Sequence, residues 1–477
     1  MKEKPGRILI LGAGPAGLGA AWRLKELGHD DFLVLEASDR VGGLAASHVD
    51  PQGFTWDMGG HVEYSHYPYF DSVMERALRP EEWLHHERAA WVRVGGTFVP
   101  YPFQNNIHRL PPERFERCLR GLEERRPGGP PPRDFAEWTL RTFGRGVAEA
   151  FLLPYNRKVW ACPLERLGHQ WVAQRVSVPD LERVRESARL RKDDVSWGGN
   201  STFRFPERGG TGAIWEAVAD RVGRGRIRLG REALAVDPAA GMVRLGDGLE
   251  RFDLVFSSMP LDALAVRVQG LPEEVRRLCA GLRRASTHVL GIGVEGSLPE
   301  ELSGKYWTYF PDDDVPFYRA EVYSSFSPWN VPDPGRHWSL LVEVSEAAGT
   351  TPLPAVPGAY EAPGTLGTPA PKEPVMQRTV EALIRLGWIR DERRIVSRFQ
   401  RRVEYGYPVP TLDRDAVLGA VQPMLEGLRV FSRGRFGGWR YEAGNQDHAF
   451  MQGVEWADRV VLGGKEPTYY RDGGTGA

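Results

Sequence analysis

The sequence predicts an α/β fold, in which a discontinuous Rossmann-like domain carries an inserted helical domain and an antiparallel β-sheet domain. Three observations predict this architecture. A glycine-rich strand–turn–helix–strand pattern occupies residues 7–36, a helix-rich stretch runs from Pro111 to about Leu190, and strand-like patterns run from about residue 285 to 415. A chain of 477 residues is long enough for two or three such domains.

The N-terminal pattern begins with a short apolar segment and contains one helix. Residues 7–11 are apolar and β-favourable, and Gly12 ends them, which is typical of a buried parallel strand. Pro15 opens a helical pattern that ends at Gly28, since proline suits the first turn and glycine the end of a helix. Residues 32–35 form the second predicted strand.

The turn between the first strand and the helix carries a Gly-x-Gly-x-x-Gly motif at Gly12, Gly14 and Gly17. Glycines let the backbone approach a pyrophosphate, which the N-terminal end of the helix dipole attracts. Glu36, at the end of the second strand, is placed for a ribose hydroxyl. The motif in this context predicts a dinucleotide site, but by itself it does not distinguish NAD from FAD.

The nucleotide-binding domain is predicted to be discontinuous because the chain returns to short strands in residues 225–260, after the helix-rich stretch. Residues 347–374 are rich in Pro, Gly, Ala and Thr and predict a flexible insertion. The predicted domains are the nucleotide-binding domain (1–105, 201–284 and 416–470), the helical domain with mobile substrate loops (106–200) and the sheet domain (285–415).

Composition excludes several classes of protein. The 62 basic residues balance 63 acidic ones, which argues against a nucleic-acid binder that works by bulk charge. Three widely spaced cysteines form neither a disulfide framework nor a metal motif, and we predict no metal site. No run of 18 apolar residues predicts a membrane span, so a cytoplasmic location is expected. No Ser-His-Asp set or obvious carboxylate pair is apparent in the sequence.

The residues after the second strand favour FAD over NAD. Glu36 is followed by Arg40, Gly42 and Gly43, and this segment resembles the signature of FAD enzymes of the amine-oxidase clan. In those enzymes an arginine and two glycines extend the cofactor site. FAD is therefore the expected cofactor.

Two further segments combine residue types that suit flat ligands. Gly59, Gly60 and His61 form a turn that allows close backbone approach to a ring, and His61 and His66 are candidates for positions near an isoalloxazine. Residues 99–106 mix aromatic and amide side chains, which suits a platform that stacks on a base and binds its edge. In isolation, each segment would be an ordinary turn or loop.

Longer segments resemble UDP-galactopyranose mutases, and most closely the eukaryotic, fungal-type branch of that family. The similarity runs in order from residue 7 to about 462, except for residues 347–374. Because several segments are long and mutually independent, chance explains them poorly. The segments are 154–161, 174–179, 197–212, 316–320, 406–411 and 434–448.

The resemblance implies roles for individual residues. Arg175 and Arg319 match two arginines that grip the substrate pyrophosphate, and with His61 they are the implied catalytic residues; two phosphates suit two guanidinium forks. The other implied substrate contacts are with the pyrophosphate (Tyr309, Tyr407, Tyr441), the uridine (Tyr101, Phe103, Gln104, Asn156, Trp160) and, from a mobile loop, the sugar (Asn200). The implied flavin contacts are Gly12, Gly14, Gly17, Glu36, Arg40, Gly43, Gly60, His61, Arg435, Asn445 and Gln446.

Two positions depart from the fungal-type pattern. Phe326 stands where that branch has another pyrophosphate-binding tyrosine, which removes a hydroxyl contact worth about 1 kcal/mol. Tyr64 stands where that branch has phenylalanine, which changes the polarity of the sugar pocket. These positions leave the exact sugar and nucleotide open.

By resemblance, the reaction interconverts UDP-galactopyranose and UDP-galactofuranose, for a cell-wall glycan, with no net oxidation. Attack of reduced flavin N5 on the anomeric carbon is the implied step, and the protein supplies positioning and electrostatics. An external reductant such as NAD(P)H is expected, and oligomers are possible because members of the family differ. The alternatives are a mutase for another nucleotide sugar, a redox flavoenzyme of the amine-oxidase clan and a flavin-binding sensor.

Overall fold

The computed structural model describes residues 5–125, 128–172, 176–195, 201–348 and 374–470. The helices in these ranges are α1 (Pro15–Glu26), α2 (Pro68–Ala77), α3 (Pro112–Glu123), α4 (Phe135–Val147), α5 (Leu153–Trp160), α6 (Leu181–Leu190), α7 (Gly212–Val222), α8 (Leu261–Arg267), α9 (Glu273–Gly281), α10 (Pro374–Arg385), α11 (Arg414–Gly427), α12 (Gly434–Gly437) and α13 (Gln446–Leu462).

The strands in the same ranges are β1 (Ile8–Leu11), β2 (Phe32–Leu35), β3 (Ser47–Val49), β4 (Thr55–Asp57), β5 (Trp83–Glu87), β6 (Ala90–Val94), β7 (Thr97–Pro100), β8 (Thr202–Pro206), β9 (Ile227–Arg228), β10 (Ala235–Asp237), β11 (Met242–Arg244), β12 (Leu249–Arg251), β13 (Leu254–Ser257), β14 (Arg284–Glu295), β15 (Trp307–Tyr309), β16 (Arg319–Val322), β17 (His337–Ala347), β18 (Ile395–Pro408) and β19 (Val430–Ser432).

A five-stranded parallel sheet, in the order β19-β13-β1-β2-β9, forms the nucleotide-binding domain. Its strands come from distant parts of the chain: β1 pairs in parallel with β2 and with β13, and β13 pairs with β19. The central strands β1 and β2 are apolar throughout and buried, as parallel strands covered on both faces should be. The predicted strand–helix–strand unit is confirmed, and so is the return of the chain to this sheet.

A seven-stranded sheet, in the order β18-β14-β17-β16-β15-β6-β7, forms the second layer. Its neighbouring strands run antiparallel, except that β15 and β6 pair in parallel. The sheet is therefore mixed rather than antiparallel. Residues 90–100, which the prediction placed with the nucleotide-binding domain (1–105), lie at its edge. Periodicity marks the β6–β7 hairpin but carries no information on a partner strand more than 200 residues away.

The helix-rich stretch contains α3 to α6, as its pattern predicts. Two parts of the predicted substrate loops, residues 173–175 and 196–200, lie outside the described residues. Most of the predicted insertion (347–374) also lies outside the described residues. At its two ends, Ala347 is the last residue of β17 and Pro374 is the first residue of α10. Across the described ranges, every helix falls short of the length and apolarity that a membrane crossing requires.

Candidate active site

A cavity of about 840 Å³ lies between the parallel and the mixed sheet. Its wall contains residues at the carboxyl ends of β1 and β2, where ligands bind in open parallel sheets. The opposite wall comes from β15, β16, β18 and α5. The volume is within the range of small-molecule sites. Because residues of both sheets line the cavity, it can hold one ligand against the parallel sheet and a second against the mixed sheet.

The glycine turn after β1 forms one end of the cavity. Gly12 has a φ of 105°, which other residues rarely adopt, and Gly12 and Gly14 line the cavity. Gly17 does not line it; a Cβ at Gly17 would lie 1.9 Å from the carbonyl oxygen of Gly12. Gly17 is therefore needed to close the turn, and its predicted role as a direct cofactor contact is not what the structure shows.

Glu36 holds the turn in place from the end of β2. Its Oε2 accepts a hydrogen bond from the Ala13 amide at 2.6 Å, and its Oε1 accepts one from the Ser38 amide at 2.8 Å. The carboxylate also lines the cavity, and each oxygen has a second lone pair for a ribose hydroxyl.

A second glycine turn packs against the first. Gly42 and Gly43 have φ values of 100° and 54°, and a Cβ at Gly43 would lie 3.3 Å from the Cα of Gly14. The two turns form a cradle with little room for side chains, which fits a dinucleotide. Arg40 was predicted to bind the cofactor, but its guanidinium donates to the Ser47 carbonyl at 3.1 Å and pairs with Asp39, outside the cavity wall.

Residues after β19 form the opposite side of the cofactor end. The Arg435 guanidinium donates to the carbonyls of Gly406 and Gly444, both at 3.1 Å, and lies 5.1 Å from the centre of the Tyr407 ring. These contacts fix a positive charge at the cavity wall. Of the two predicted amides, Gln446 accepts from the Trp215 indole at 2.7 Å, and Asn445 is described with Tyr64 below.

Tyr64 and Asn445 form a direct contact across the cavity wall. The Asn445 amide nitrogen donates to the Tyr64 hydroxyl at 2.8 Å, and both side chains line the cavity. The tyrosine that departs from the fungal-type pattern is therefore connected to a predicted flavin-lining residue. A phenylalanine at this position would leave that amide hydrogen without this acceptor.

Gly60 and His61, from the Gly59–Gly60–His61 turn, line the cavity. The Gly60 amide donates to Glu343 Oε1 at 3.0 Å, and Thr211 Oγ1 lies 3.1 Å from the His61 carbonyl oxygen. Burial lowers the pKa of His61 to about 4, and the charges of Arg435 and Arg319 act in the same direction against Glu343. The imidazole is therefore neutral at pH 7.

Aromatic side chains surround the other end of the cavity. Tyr309 lies between Tyr101 and Tyr155, with ring-centre distances of 5.8 and 5.3 Å. Trp160 lies 4.9 Å from Tyr441 and 5.9 Å from Tyr407. We call these six residues the aromatic cage, and all of them line the cavity together with Asn156.

Asn156 and Trp160 occupy successive turns of α5 and fix one another. The Trp160 indole donates to Asn156 Oδ1 at 3.1 Å, and the Asn156 amide nitrogen donates to the Leu152 carbonyl at 2.8 Å. This spacing of four residues places both side chains on the helix face toward the cage.

Arg319 enters the cavity wall from β16, beside the aromatic cage. Its cross-strand partner on β17 is Glu343, and Nη2 of the arginine lies 2.7 Å from Glu343 Oε1. Its Nε lies 3.0 Å from Glu321 Oε1, two residues along the same strand. The guanidinium is thus held in one position before any ligand binds. Arg175 and Asn200 lie outside the described residues, so their predicted roles remain predictions.

Three residues of the sequence prediction lie behind the wall. Phe103 is fully buried, with its ring centre 5.2 Å from that of Phe151, and Gln104 donates to the Ser177 carbonyl at 2.5 Å. Phe326 is buried in an aromatic cluster, stacked 5.7 Å from Tyr306. None of the three lines the cavity. The predicted loss of a pyrophosphate contact at Phe326 is not supported, because this side chain supports the strands from behind.

Sequence reasoning missed the buried carboxylates beside Arg319 and one cage residue, Tyr155. Glu321 and Glu343 form a buried carboxylate pair beside Arg319, although no such pair was apparent in the sequence. The sequence did contain a signal for this pair: Glu343 interrupts the apolar run Leu340–Val344, and a charged residue inside a buried strand usually has a partner.

The sequence also showed no metal motif, yet three possible ligands meet near the cofactor end. The ring nitrogens of His66 and His448 lie 2.8 and 2.9 Å from the two carboxylate oxygens of Asp447. Burial by itself would raise the pKa of Asp447, but its hydrogen bonds with His448 and His66 hold that pKa below the usual range. The group satisfies its own hydrogen bonds without an ion.

Comparisons with known proteins agree with this geometry. A solved structure of reduced UDP-galactopyranose mutase is 41% identical to the chain, with a TM-score of 0.90, and the match covers 98% of this chain and 96% of that one. Cyclohexylamine oxidase from Brevibacterium oxydans IH-35A is 15% identical with a TM-score of 0.64, over 96% of this chain and 99% of that one, and shares the fold.

Curated sequences match over short stretches of the chain. The 15-cis-phytoene desaturase of Glycine max is 41% identical over 70 residues, which are 15% of this chain and 12% of that protein. The match thus spans about an eighth of the relative's length. The sequence profile described as flavin containing amine oxidoreductase matches residues 15–387. The chain therefore belongs to the flavin containing amine oxidoreductase family and, within it, to the UDP-galactopyranose mutases.

Proposed function

We propose that the protein is an FAD-dependent mutase that interconverts UDP-galactopyranose and UDP-galactofuranose. One observation carries the proposal: a single cavity has a glycine cradle for a dinucleotide at one end and Arg319 beside the aromatic cage at the other. A flavin and a nucleotide sugar that must react with one another need this side-by-side arrangement. The likeness to the solved mutase supports it.

The cofactor end fits FAD in its donor set as well as its shape. The cradle glycines would hold the pyrophosphate at the N-terminus of α1, and Glu36 would accept from a ribose hydroxyl. The Gly59–Gly60 turn, Arg435 and Asn445 would surround the ring system. When bound in its reduced form, the flavin supplies the nucleophile for the anomeric carbon.

Replacing Gly17 by alanine is expected to abolish flavin retention. The new Cβ would collide with the Gly12 carbonyl, a backbone atom that cannot move without opening the cradle. The flavin absorbance per protein after gel filtration measures the effect, with an expected loss of at least about tenfold. Gly419→Ala is the matched control, because Gly419 also lies inside a helix but has open space around its Cβ position.

The residues at the substrate end would bind the nucleotide and stabilise its departure. Arg319 would hold the pyrophosphate and the charge that develops on UDP as it leaves, an interaction that a buried, preorganised cation provides well. The hydroxyls of Tyr309, Tyr407 and Tyr441 would donate to the same oxygens, and the rings of the cage would exclude water. By resemblance alone, we propose that Arg175 and Asn200 also contact the substrate.

His61 is neutral at pH 7 and therefore adds no charge beside the flavin. Its position in the turn next to Gly60 suits contact with the ring system. The mutase also requires a donor of electrons, for which we infer NAD(P)H, and we infer a cytoplasmic location. Both a monomer and an oligomer are compatible with these roles.

A mutase for a different nucleotide sugar is the second candidate, and the Tyr64–Asn445 contact favours it. The tyrosine hydroxyl adds a polar group to the part of the cavity where the sugar would meet the flavin. Hydroxyl contacts of this kind decide which sugar stereochemistry is bound.

Tyr64→Phe is expected to change the kcat/KM for UDP-galactofuranose by about three- to tenfold, the equivalent of one hydrogen bond. Measuring kcat/KM for a panel of nucleotide sugars detects a change in preference. Tyr306→Phe is the control, since the Tyr306 hydroxyl bonds to His86 at 2.9 Å, away from the cavity. Identical ratios across the panel in wild type and Tyr64→Phe would exclude Tyr64 as a determinant of the sugar.

Product analysis tests the proposed function itself. Dithionite-reduced protein is incubated with UDP-galactofuranose, and chromatography is expected to show UDP-galactopyranose. Conversion of another nucleotide sugar instead would establish the second candidate. Oxygen consumption with an amine substrate, without any sugar conversion, would place the chain among the redox enzymes of its family.

A further inference from the structure

The floor beneath the Gly59–Gly60 turn contains more acid than base. Glu321 and Glu343 both pair with Arg319, at 3.0 and 2.7 Å, and Asp57 lies in the same buried region on β4. Glu321 is fully buried. We call Asp57, Glu321, Glu343 and Arg319 the acidic floor.

The contacts of the three carboxyl groups are unequal. Asp57 accepts from Ser47, from the Thr211 amide at 3.1 Å and from the Thr211 hydroxyl at 2.8 Å. Glu343 accepts from Gly60, Arg319 and the hydroxyl of Tyr318. Glu321 has its ion pair with Arg319 and a contact with the Trp307 side chain, but neither of its oxygens makes a hydrogen bond of good geometry with the described residues.

The backbone turn lies directly on the least satisfied acid. A Cβ at Gly60 would be 1.7 Å from Glu321 Oε1, so only a glycine allows the turn to rest there. The turn therefore separates Glu321 from the cavity by one peptide unit, while Arg319 reaches both the acid and the cavity wall.

Charge balance then requires a proton in the floor. Three ionised carboxylates around one guanidinium would bury a net charge of −2, which is strongly unfavourable away from water. Hydrogen bonds stabilise the charges of Asp57 and Glu343, so these two acids ionise before Glu321 does. The charge of Glu321 is supported only by Arg319, which it shares with Glu343, and by Trp307, so Glu321 is the group that holds the proton.

We propose that Glu321 is a positioning residue which carries a proton needed for nucleotide binding, because its neutral form leaves the charge of Arg319 available to the pyrophosphate. The inference rests on the proposed function, since it takes a nucleoside diphosphate as the ligand. Ionisation of Glu321 places a second anion against Arg319 and repels the substrate.

The direction of the pH dependence follows from the groups that face Glu321. Burial raises its pKa to about 8, with Arg319 acting against the rise and Glu343 and Asp57 adding to it. Tyr318 and Tyr323 also face the floor, and burial keeps both neutral well above pH 10. Burial raises the pKa of Asp57 to about 6, so this acid is ionised above pH 7.5. The proton on Glu321 is thus present below pH 7 and lost as the pH rises through 8, and nucleotide affinity falls with it.

Calorimetric titration of the flavin-loaded enzyme with UDP tests the proposal between pH 7.5 and 9.0, where the phosphates of UDP are already ionised. The Kd of the wild type is expected to rise about eightfold over this range, by linkage to one group of pKa about 8. In Glu321→Gln, which is neutral at every pH, the change should be less than about twofold.

Besides Glu321, the basic side chain of Lys158 also titrates near pH 8, so its effect on UDP binding needs a control. Burial lowers the pKa of Lys158 to about 8, and its ammonium donates to the carbonyls of Val315 and Phe317 in the loop between β15 and β16. Lys158→Arg keeps its charge at pH 9 and should retain the eightfold change. Loss of the change in this variant would assign the effect to Lys158 and overturn the proposal.

The remaining outcomes are also decisive. A wild-type Kd that stays constant, or a Glu321→Gln variant that keeps the eightfold change, would overturn the role of Glu321 while leaving the mutase proposal intact. Absence of UDP binding at every pH would overturn the proposed function. If Glu321→Gln does not fold, titration of the wild type in buffers of different ionisation enthalpy decides, and no proton uptake at pH 8.5 contradicts the proposal.

Discussion

Arg319→Ala is expected to reduce turnover with UDP-galactofuranose by at least about 1000-fold. The substitution removes the cation that we propose faces the pyrophosphate, and loss of one preorganised group of this kind typically costs two to three orders of magnitude in kcat. It also leaves Glu343 and Glu321 without their partner, so anionic substrate meets a negative floor. Steady-state kinetics of the reduced enzyme measures the effect.

Two variants separate the charge of Arg319 from general damage. Arg319→Lys keeps the charge but lacks the planar fork, so its turnover should lie between those of wild type and alanine. Arg336→Ala removes an exposed arginine that pairs with Glu295 and should behave as wild type. An unchanged flavin spectrum establishes that each variant is folded, and near-normal turnover of a folded Arg319→Ala would remove this residue from the mechanism.

The oxidation state of the flavin is expected to switch the activity on and off. Because the proposed reaction uses the electron-rich reduced flavin as nucleophile, the oxidised protein should convert UDP-galactofuranose at less than about 1% of the reduced rate. Anaerobic assays with and without dithionite measure the two rates by chromatography of the products.

The control for this prediction is reversal within one sample. Admission of air restores the oxidised spectrum and should stop the conversion, and a second addition of dithionite should restart it. NADPH in place of dithionite tests the inferred physiological donor. Full conversion by the oxidised protein, with no reductant present, would contradict the nucleophilic role of the flavin and with it the central step of the proposal.

Local patterns predicted much of the fold. The bounds of β2 match the prediction, and β1 and α1 differ from it by a residue or two at the ends, because a buried parallel strand and a Pro-to-Gly helix are read from adjacent residues. The assignment of residues 90–100 to the wrong layer has a different cause. That hairpin forms locally, but its place at the edge of the mixed sheet depends on β15, which is distant in the chain.

For the candidate site, some of the predicted residues line the cavity and others do not. The cradle glycines, the cage tyrosines and Arg319 line one cavity, as the motifs and the resemblance imply. Phe103, Gln104 and Phe326 do not, because neighbouring residues in a motif can point to opposite sides of a wall. Arg40 has a local acid and a carbonyl as partners and turns away from the cavity.

The sequence by itself determined the class of fold, the dinucleotide turn and the family, since each of these resides in short segments whose residues act on their neighbours. Only the tertiary structure decided which side chains meet. Arg319 and Glu343 are 24 residues apart and become partners because β16 and β17 pair in one register. The acidic floor beneath Gly60 arises in the same way, where three strands bring together carboxyl groups that no single segment contains.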